Sequence, residues 1–231
     1  MCGRYSQTLT PSQIDEAFGP ITIPSEGLRA NYNVAPTQQA PVITNRHPDR
    51  IERFRWGLVP SWSKDPKVGA RMINARAETA LEKPSFRKPI RERRCLVVGD
   101  SFYEWRREGK QKLPFRIRPA DGQPLVLAGI WEYWRSKDDP EDERLTYSIL
   151  TTEPNAEMAP IHNRMPVLLG SPALREAWLS DELTDADLRE ILRTPPDGSL
   201  THYRVPPLVN SVRNNGPELH DEVDGGSHDE R

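Results

Sequence analysis

The chain has 231 residues, 35% hydrophobic and 29% charged, a composition typical of a globular protein with a core of its own. Its apolar runs are far shorter than a membrane span, and its start lacks the charged and apolar regions of a signal peptide. Its two cysteines provide no disulfide framework, so we expect a reduced, cytoplasmic protein that does not associate with membranes.

The net charge of −2 conceals a basic half followed by an acidic half. Residues 1–118 contain 22 of the 32 Lys and Arg residues but only 12 of the 34 Asp and Glu residues. This imbalance indicates a polyanionic partner, although a charged face exposed to solvent gives the same pattern. Charge alone therefore does not decide whether the protein binds nucleic acid.

Cys2 directly follows Met1, which gives it chemistry that an internal cysteine lacks. Removal of Met1 would leave one residue with a thiol and a free α-amine, whose pKa is near ~7.7–8.0. An aldehyde can form a Schiff base with the amine, and the sulfur can then close a five-membered thiazolidine. Arg4 is predicted to favour the reactive thiolate. The alternative is that position 2 belongs to a frayed terminus.

The pattern along the chain predicts many short strands and few helices. Strands are predicted over 41–44, 51–56, 74–78, 94–98, 102–105, 113–118, 125–134, 145–152 and 202–205. Helices are predicted over 11–18, 154–158, 172–179 and 185–193, and turns over 31–37 and 47–50. We expect one α+β domain over 2–217, a curved, barrel-like antiparallel β-sheet covered by short peripheral helices. The acidic segment 218–231 is predicted to be disordered.

Two predicted strands contain candidate site residues. If extended, Asn74, Arg76 and Glu78 lie on one face, although an exposed antiparallel face gives the same alternation. Glu104 lies between aromatic residues, where burial would raise its pKa and suit general acid–base catalysis. The alternative is a plain strand with Glu104 in water.

Outside the predicted strands, His162 and Trp62 are further candidates. His162 has apolar sequence around it and polar residues at the next two positions, so it is the best proton shuttle, although a core histidine is the usual outcome. Trp62 lies beside Ser61 and Lys64 and suits stacking on an unpaired base. The His and Cys residues show no ligand spacing, so neither a metal nor a cofactor is predicted.

Seven motifs, in order, resemble those of one known family. They are Met-Cys-Gly-Arg-Tyr at 1–5, Tyr-Asn-Val-Ala-Pro at 32–36, Trp-Gly-Leu-Val-Pro at 56–60, Asn-Ala-Arg-Ala-Glu at 74–78, Phe-Tyr-Glu-Trp at 102–105, His-Asn-Arg-Met-Pro at 162–166 and Val-Asn-Ser-Val-Arg-Asn at 209–214. The chain resembles the SRAP family, the SOS-response-associated peptidases or abasic-site-processing proteins, from Cys2 to about Pro217. It departs from the family at Ser101, where Gly is common, and this could alter the approach to Glu104.

The resemblance implies a domain that binds single-stranded DNA and bonds covalently to abasic sites. In the family Met1 is removed, and Cys2 supplies amine and sulfur to a thiazolidine with the ring-opened sugar. Asn74 would position the amine, Glu104 would assist ring opening and proton transfer, and His162 would act in proton transfer and in reversal of the crosslink. The residues expected to contact DNA are Arg4, Asn33, Trp62, Arg76 and Arg164.

Two other functions remain as alternatives at this point. One is a peptidase, as the family name indicates, with Cys2 as an N-terminal nucleophile that removes Met1 or cleaves other peptides. The other is a DNA-binding module in which Cys2 is incidental. We further expect a monomer that acts on damaged nucleoid DNA.

Overall fold

The computed structural model describes residues 2–223, which form a closed β-barrel and a second β-sheet. The strands are β1 (Tyr5–Gln7), β2 (Asn31–Val34), β3 (Gln39–Thr44), β4 (His47–Trp56), β5 (Asn74–Arg76), β6 (Arg94–Gly99), β7 (Ser101–Glu108), β8 (Gln111–Pro119), β9 (Leu125–Arg135), β10 (Glu143–Thr152), β11 (Met165–Pro166) and β12 (Leu200–Arg204). The helices are α1 (Pro11–Phe18), α2 (Ala77–Ala80), α3 (Pro89–Glu92), α4 (Pro172–Leu179) and α5 (Asp185–Ile191). Short 3-10 helices occur at Pro66–Arg71, Pro207–Asn210 and Pro217–His220.

The barrel closes because β10 pairs with both β4 and β9, which gives the strand order β4-β3-β6-β9-β10. The second sheet has the order β12-β8-β7-β1-β2 and is antiparallel throughout. The predicted α+β class with a barrel-like sheet and short helices is therefore confirmed. The expectation of a purely antiparallel sheet needs correction, because β10 runs parallel to β4 and to β5.

The barrel strands are buried on both faces, and each face packs against a different part of the molecule. On β6, Cys95 packs in a cluster that includes Phe102 from the second sheet, and this cluster also contains Cys2. The next residue, Leu96, belongs to a cluster that includes Ile14 of α1 and Trp178 of α4. The helices therefore cover one face of the barrel, and the second sheet packs against the other.

Local capping explains why the predicted helix α1 forms. The Thr10 hydroxyl accepts a hydrogen bond from the Gln13 backbone N–H, and the Gln13 side chain accepts one from the Thr10 N–H. This capping box satisfies backbone donors that the first turn leaves without partners. Gly19 ends the helix with φ of 75°, a conformation that glycine adopts without strain.

Three local predictions are wrong. The hairpin turn lies at Asn45–Arg46 rather than 47–50, because Asn45 exchanges hydrogen bonds with the backbone of Arg94 and so draws the turn towards β6. Residues 31–34 of the predicted turn form β2, which pairs with β1. Residues 154–158 form turns rather than a helix. In addition, the strand predicted over 74–78 ends at Arg76, and Glu78 lies in α2.

The first part of the predicted disordered tail is folded. Leu219 lies in the 3-10 helix at Pro217–His220 and is fully buried in a cluster with Tyr103 and Val209. The Val223 N–H then donates a hydrogen bond of 3.0 Å to the carbonyl oxygen of Arg204 on β12. The predicted boundary at 217 and the disorder are therefore wrong for 218–223, and the rest of the predicted tail lies outside the described residues.

Candidate active site

Cys2 is held in place from two sides at the start of the second sheet. Its carbonyl oxygen accepts a hydrogen bond of 2.8 Å from the side-chain amide of Asn74, at the start of β5. Two residues later, the Arg4 carbonyl accepts a bond of 2.9 Å from the N–H of Tyr103 on β7. The Cys2 side chain is fully buried. The alternative of a frayed terminus is therefore wrong for Cys2.

The same burial keeps the Cys2 thiol protonated. Removal from water raises the pKa of Cys2 well above its ordinary value, and the charge of Glu104 raises it further. The guanidinium of Arg4 does not offset this, because it donates hydrogen bonds to Asn33 Oδ1 at 2.7 Å and to the Val209 carbonyl at 2.8 Å. The prediction that Arg4 favours a thiolate at Cys2 is wrong.

Glu104 lies on β7, with its side chain only 3% exposed. Alternation along the strand puts it on the same face as Phe102, whose cluster contains Cys2. Burial raises the pKa of Glu104 to about 7. The prediction of an apolar setting with a raised pKa is confirmed. At neutral pH such a carboxyl can donate or accept a proton.

Ser101, at the start of β7, does not disturb Glu104. The two side chains lie on opposite faces of the strand, because they are three positions apart. The Ser101 hydroxyl accepts a hydrogen bond of 2.8 Å from Arg116 Nε and shares one of 2.5 Å with the hydroxyl of Ser6. Ser101, the residue that departs from the family pattern, therefore connects β7 to β8 and β1 by hydrogen bonds.

His162 follows a turn in which its N–H donates a bond of 2.9 Å to the Met158 carbonyl. Its ring Nδ1 accepts a hydrogen bond of 3.0 Å from the backbone N–H of Arg164, so the neutral ring has its proton on Nε2. Partial burial lowers the pKa of His162, and the positive charges of Arg107 and Arg164 lower it further. The neutral ring is therefore the main form at neutral pH.

Glu104 and His162 line one open cleft of about 460 Å³. Its other lining residues are Trp105, Arg107, Lys112 and Asn210, none of which was singled out as a site residue from the sequence. Arg107 lies opposite Lys112 across the β7–β8 hairpin. A hairpin turn predicted at Gly109 would have indicated from the sequence that these two cations are neighbours. They give the cleft positive charge suited to a phosphate.

Arg4 and Asn33 were both predicted to contact DNA, but their side chains form hydrogen bonds within the protein. The Asn33 side-chain amide donates hydrogen bonds to the carbonyl oxygens of Ser211 at 3.0 Å and Asn214 at 2.8 Å. Together with the bonds from Arg4, these contacts fasten the segment 209–214 to β1 and β2. Asn210, in that segment, accepts a bond of 2.7 Å from the Trp105 indole and so forms one wall of the cleft.

The other three residues predicted to contact DNA differ in accessibility. The Trp62 side chain is 62% exposed, and Arg76 is exposed at the end of β5. The Arg164 side chain is only 12% exposed and makes an ion pair of 2.7 Å with Glu78. Trp62 and Arg76 are therefore available to a ligand, whereas Arg164 is largely enclosed.

Two kinds of feature are absent from residues 2–223. This part of the chain has no group of three or more His, Cys, Asp or Glu residues that could hold a metal ion. It also has no helix long and apolar enough to cross a membrane.

Comparison with known proteins identifies the class of protein. The family model described as SOS response associated peptidase (SRAP) matches residues 1–212, and the chain belongs to this family. It is similar to the abasic site processing protein YoqW of Bacillus subtilis, with 44% identity over 224 residues, 95% of this chain and 98% of the relative. The family indicated by the seven motifs is confirmed.

Similarity extends to a vertebrate protein and to a solved structure. The abasic site processing protein HMCES of Gallus gallus is 31% identical over 260 residues, which cover 94% of this chain and 76% of the relative. The crystal structure of a protein from Bacteroides thetaiotaomicron matches with a TM-score of 0.86 at 30% identity, covering 96% of this chain and all of that protein. The fold described above is therefore that of solved structures.

Proposed function

We propose that this protein processes abasic sites in DNA by bonding to them covalently through Cys2 after removal of Met1. The observation that carries the proposal is the attachment of Cys2, through Asn74, at a position where the charge of Glu104 acts on it. Glu104 and His162 also line a cleft with two cations. The names of the relatives, abasic site processing proteins, agree with this chemistry.

The first step joins the Cys2 nitrogen to the sugar. Removal of Met1 converts that nitrogen from an amide into a primary amine, which can attack the aldehyde carbon of a ring-opened abasic site. The carbonyl oxygen leaves as water once a proton has been supplied, and a carbon–nitrogen double bond remains. Glu104, with a pKa of about 7, is suited to supply that proton.

The second step closes the ring. The Cys2 sulfur adds to the imine carbon, so a carbon–sulfur bond forms and the carbon–nitrogen double bond becomes single. The thiol proton passes to the nitrogen through the carboxylate of Glu104, and no oxidant or reductant is consumed. Because burial keeps the thiol protonated, this addition follows formation of the Schiff base rather than preceding it.

The remaining residues serve proton transfer and binding of the strand. His162, neutral and protonated on Nε2, can move a proton at the cleft in either direction, and this supports reversal of the crosslink as a lyase-like step. Arg107, Lys112 and Arg76 can neutralise phosphates, and Trp62 can stack on an unpaired base. These features favour single-stranded DNA as the substrate.

Intact-mass spectrometry with single-stranded DNA containing one abasic site tests the proposal. The expected result is loss of Met1 followed by a stable one-to-one adduct. Cys2→Ser should form only a Schiff base that borohydride traps, whereas Cys95→Ala, at the other buried cysteine, should behave as wild type. Loss of Met1 without any adduct would contradict the proposal, as would a stable adduct formed by Cys2→Ala.

Removal of Met1 by the protein itself is a second candidate activity, favoured by the family description as a peptidase. It requires Cys2 to act as a nucleophile on the preceding peptide bond, with Glu104 as the acid or base. If this occurs, Glu104→Gln should retain Met1 when produced without methionine aminopeptidase, and wild type should lose it. Retention by both would exclude self-processing, and turnover of peptides without DNA would indicate a general peptidase.

A further inference from the structure

A pocket lies between the helices and the barrel, on the face of the barrel turned away from Cys2. It has a volume of about 540 Å³ and is bounded mainly by the end of α1, by α4 and by strands β3 and β6. Leu96 on β6 is part of its buried floor, whereas the preceding residue, Cys95, packs in the cluster that contains Cys2. Among the described residues, the pocket shares no lining residue with the cleft of Glu104 and His162. It is therefore separate from the candidate active site.

The charged group at the wall of this pocket is the guanidinium of Arg175, in α4, a residue that is only 6% exposed. Its Nε donates a hydrogen bond of 3.0 Å to the Leu169 carbonyl, its Nη1 one of 3.0 Å to the Ala17 carbonyl, and its Nη2 one of 3.4 Å to the Gly170 carbonyl. The guanidinium carbon lies 4.9–5.1 Å class distance above an aromatic ring, at 5.1 Å from the centre of Phe18. These contacts fix the guanidinium in place.

Arg175 retains hydrogen-bonding capacity that the described chain does not use. The N–H of Nε and one N–H of each Nη are occupied, so a second N–H on each Nη has no acceptor in residues 2–223. All three acceptors are neutral carbonyl oxygens, although a buried charge is usually paired with an opposite one. Burial lowers the pKa of Arg175, and the charge of Asp121 offsets only part of this effect. An anion in the pocket would therefore be favoured.

Arg94 is the other buried arginine of residues 2–223 and differs from Arg175 in this respect. The guanidinium of Arg94 donates four hydrogen bonds to backbone carbonyls in α3 and at the end of α4. The carboxylate of Asp181 lies 3.8 Å from its Nη2. Arg94 does not line the pocket. The charge of Arg94 thus has a partner within the protein, whereas that of Arg175 lies beside an open space.

Arg175 also has a structural role, which accounts for part of its environment. The Ala17 carbonyl is near the end of α1, where the last carbonyls of a helix have partial negative charge. The bonds to Leu169 and Gly170 hold the segment that precedes α4. This role explains where the guanidinium lies. It does not account for the unused N–H groups or for the pocket beside them.

The rest of the pocket determines which kind of anion would fit. Its walls include the apolar side chains of Phe18, Ile21 and Leu179, and its floor those of Ile43 and Leu96. Small-molecule sites commonly combine an apolar lining of this kind with a few polar groups that fix the orientation of the ligand. A nucleic-acid strand, charged at every nucleotide, does not suit such a surface. A ligand with one anionic group and an apolar body does.

We propose that this pocket binds an amphipathic carboxylate, a small molecule with one carboxylate group and an aliphatic body. The carboxylate accepts hydrogen bonds from the unused N–H groups of Arg175, and the aliphatic body packs on Ile43 and Leu96. The exposed carboxylate of Glu176 also lines the pocket and disfavours a ligand with more than one negative charge. Binding at this site does not depend on the reaction at Cys2.

NMR titration of the 15N-labelled full chain with octanoate and with octanol, in the absence of DNA, tests the proposal. The two probes have the same aliphatic chain length and differ in the carboxylate. We expect saturable one-to-one binding of octanoate, with shifts centred on the residues that line the pocket and on the Nε–H signal of Arg175. The Kd for octanoate should be lower than that for octanol by roughly tenfold or more, the effect of charge-assisted hydrogen bonds.

A matched pair of surface variants tests the position of the bound carboxylate. Glu176→Gln removes a like charge from the pocket, so it should lower the Kd for octanoate by roughly two- to fivefold and leave that for octanol unchanged. Glu182→Gln removes another exposed carboxylate, which does not line the pocket in the described chain. It should leave both Kd values as in wild type.

Two further variants change the pocket itself. Arg175→Gln removes the positive charge and should raise the Kd for octanoate to that for octanol. Ile21→Trp fills the pocket from a partly exposed position and should weaken binding of both probes. Ile21→Trp and Glu176→Gln leave Arg175 in place, so they decide the proposal even if Arg175→Gln fails to fold.

Three results would overturn the proposal. Absence of saturable octanoate binding would show that the pocket is not a ligand site. Equal affinities of wild type for octanoate and octanol would show that Arg175 does not bind the carboxylate. If Glu176→Gln and Glu182→Gln have the same affinity for octanoate, the carboxylate binds away from this pocket.

Discussion

The side-chain amide of Asn74 donates a hydrogen bond of 2.8 Å to the carbonyl oxygen of Cys2. Asn74 is itself fixed, because β5 pairs in parallel with β10 and places it opposite Ile149. Its Oδ1 is buried and, within residues 2–223, has no hydrogen-bond partner. Asn74 therefore holds Cys2 with one end of its amide, and its other end is an acceptor that would suit the amine of the proposed reaction.

Asn74→Ala should slow adduct formation by roughly fivefold, because a hydrogen bond of this kind contributes about 1 kcal/mol. Asn74→Asp keeps an acceptor but loses the donor to Cys2, so it should also be slow. Rates at saturating abasic DNA, with affinity measured separately, provide the test. A wild-type rate in both variants would show that the amide has no part in placing Cys2.

Glu104→Gln should change how stability depends on pH. The pKa of Glu104 rises from 4.5 in the unfolded chain to about 7 in the folded protein, so the folded state binds this proton more tightly. Its stabilising contribution is complete below pH 4.5 and is lost as pH rises through 7, an effect on the order of 3 kcal/mol. The glutamine variant cannot show this loss.

Urea unfolding of wild type and Glu104→Gln between pH 4.5 and pH 8 provides the measurement. The stability of wild type relative to the variant should fall across this range. Glu16→Gln, which removes an exposed carboxyl, is the surface control. If the free energies of unfolding of wild type and Glu104→Gln change with pH in parallel, Glu104 does not titrate as its burial predicts.

Asn33→Ala should lower the free energy of unfolding by on the order of 1–3 kcal/mol, because the amide of this buried residue donates hydrogen bonds to backbone carbonyls of 209–214. Asn214→Ala removes a solvent-exposed hydrogen bond from the same segment and should change the free energy of unfolding by no more than about 0.5 kcal/mol. Chemical denaturation measures both. If Asn33 contacted DNA instead, its removal would weaken DNA binding and leave stability intact.

Trp62→Ala should weaken binding to single-stranded DNA by ~1–3 kcal/mol, about 5- to 150-fold, if one base stacks on the indole. Stability should change by no more than about 0.5 kcal/mol, since the side chain is 62% exposed. Trp62→Phe keeps an aromatic face and should retain most of the affinity. Fluorescence anisotropy with a labelled strand measures all three proteins, and equal affinities would exclude stacking.

Features set by neighbouring residues were predictable from the sequence. The helix over 11–18 was predicted from the residues within and beside it, and α1 forms there. The aromatic residues on either side of Glu104 likewise indicated an apolar setting, and the carboxyl is buried. In both cases the determining contacts are local or follow from strand periodicity.

Features set by distant contacts were not predictable. Arg4 appears in the sequence as a cation beside a thiol, but its guanidinium bonds to Val209, which is 205 residues away. Asn33 appears as a polar turn residue, but it is buried against carbonyls of the same distant segment. The cleft wall at Asn210 depends on this long-range packing, and no local pattern indicates it.

The burial of Cys2 has a consequence for the lifetime of the protein itself. Peroxides and other oxidants attack cysteine mainly as the exposed thiolate, and the Cys2 sulfur is neither exposed nor ionised. Chemical ageing of this residue is therefore slow in the folded state, even under conditions that oxidise surface thiols. If Cys2 reacts as proposed, its burial preserves the thiol until the reaction begins.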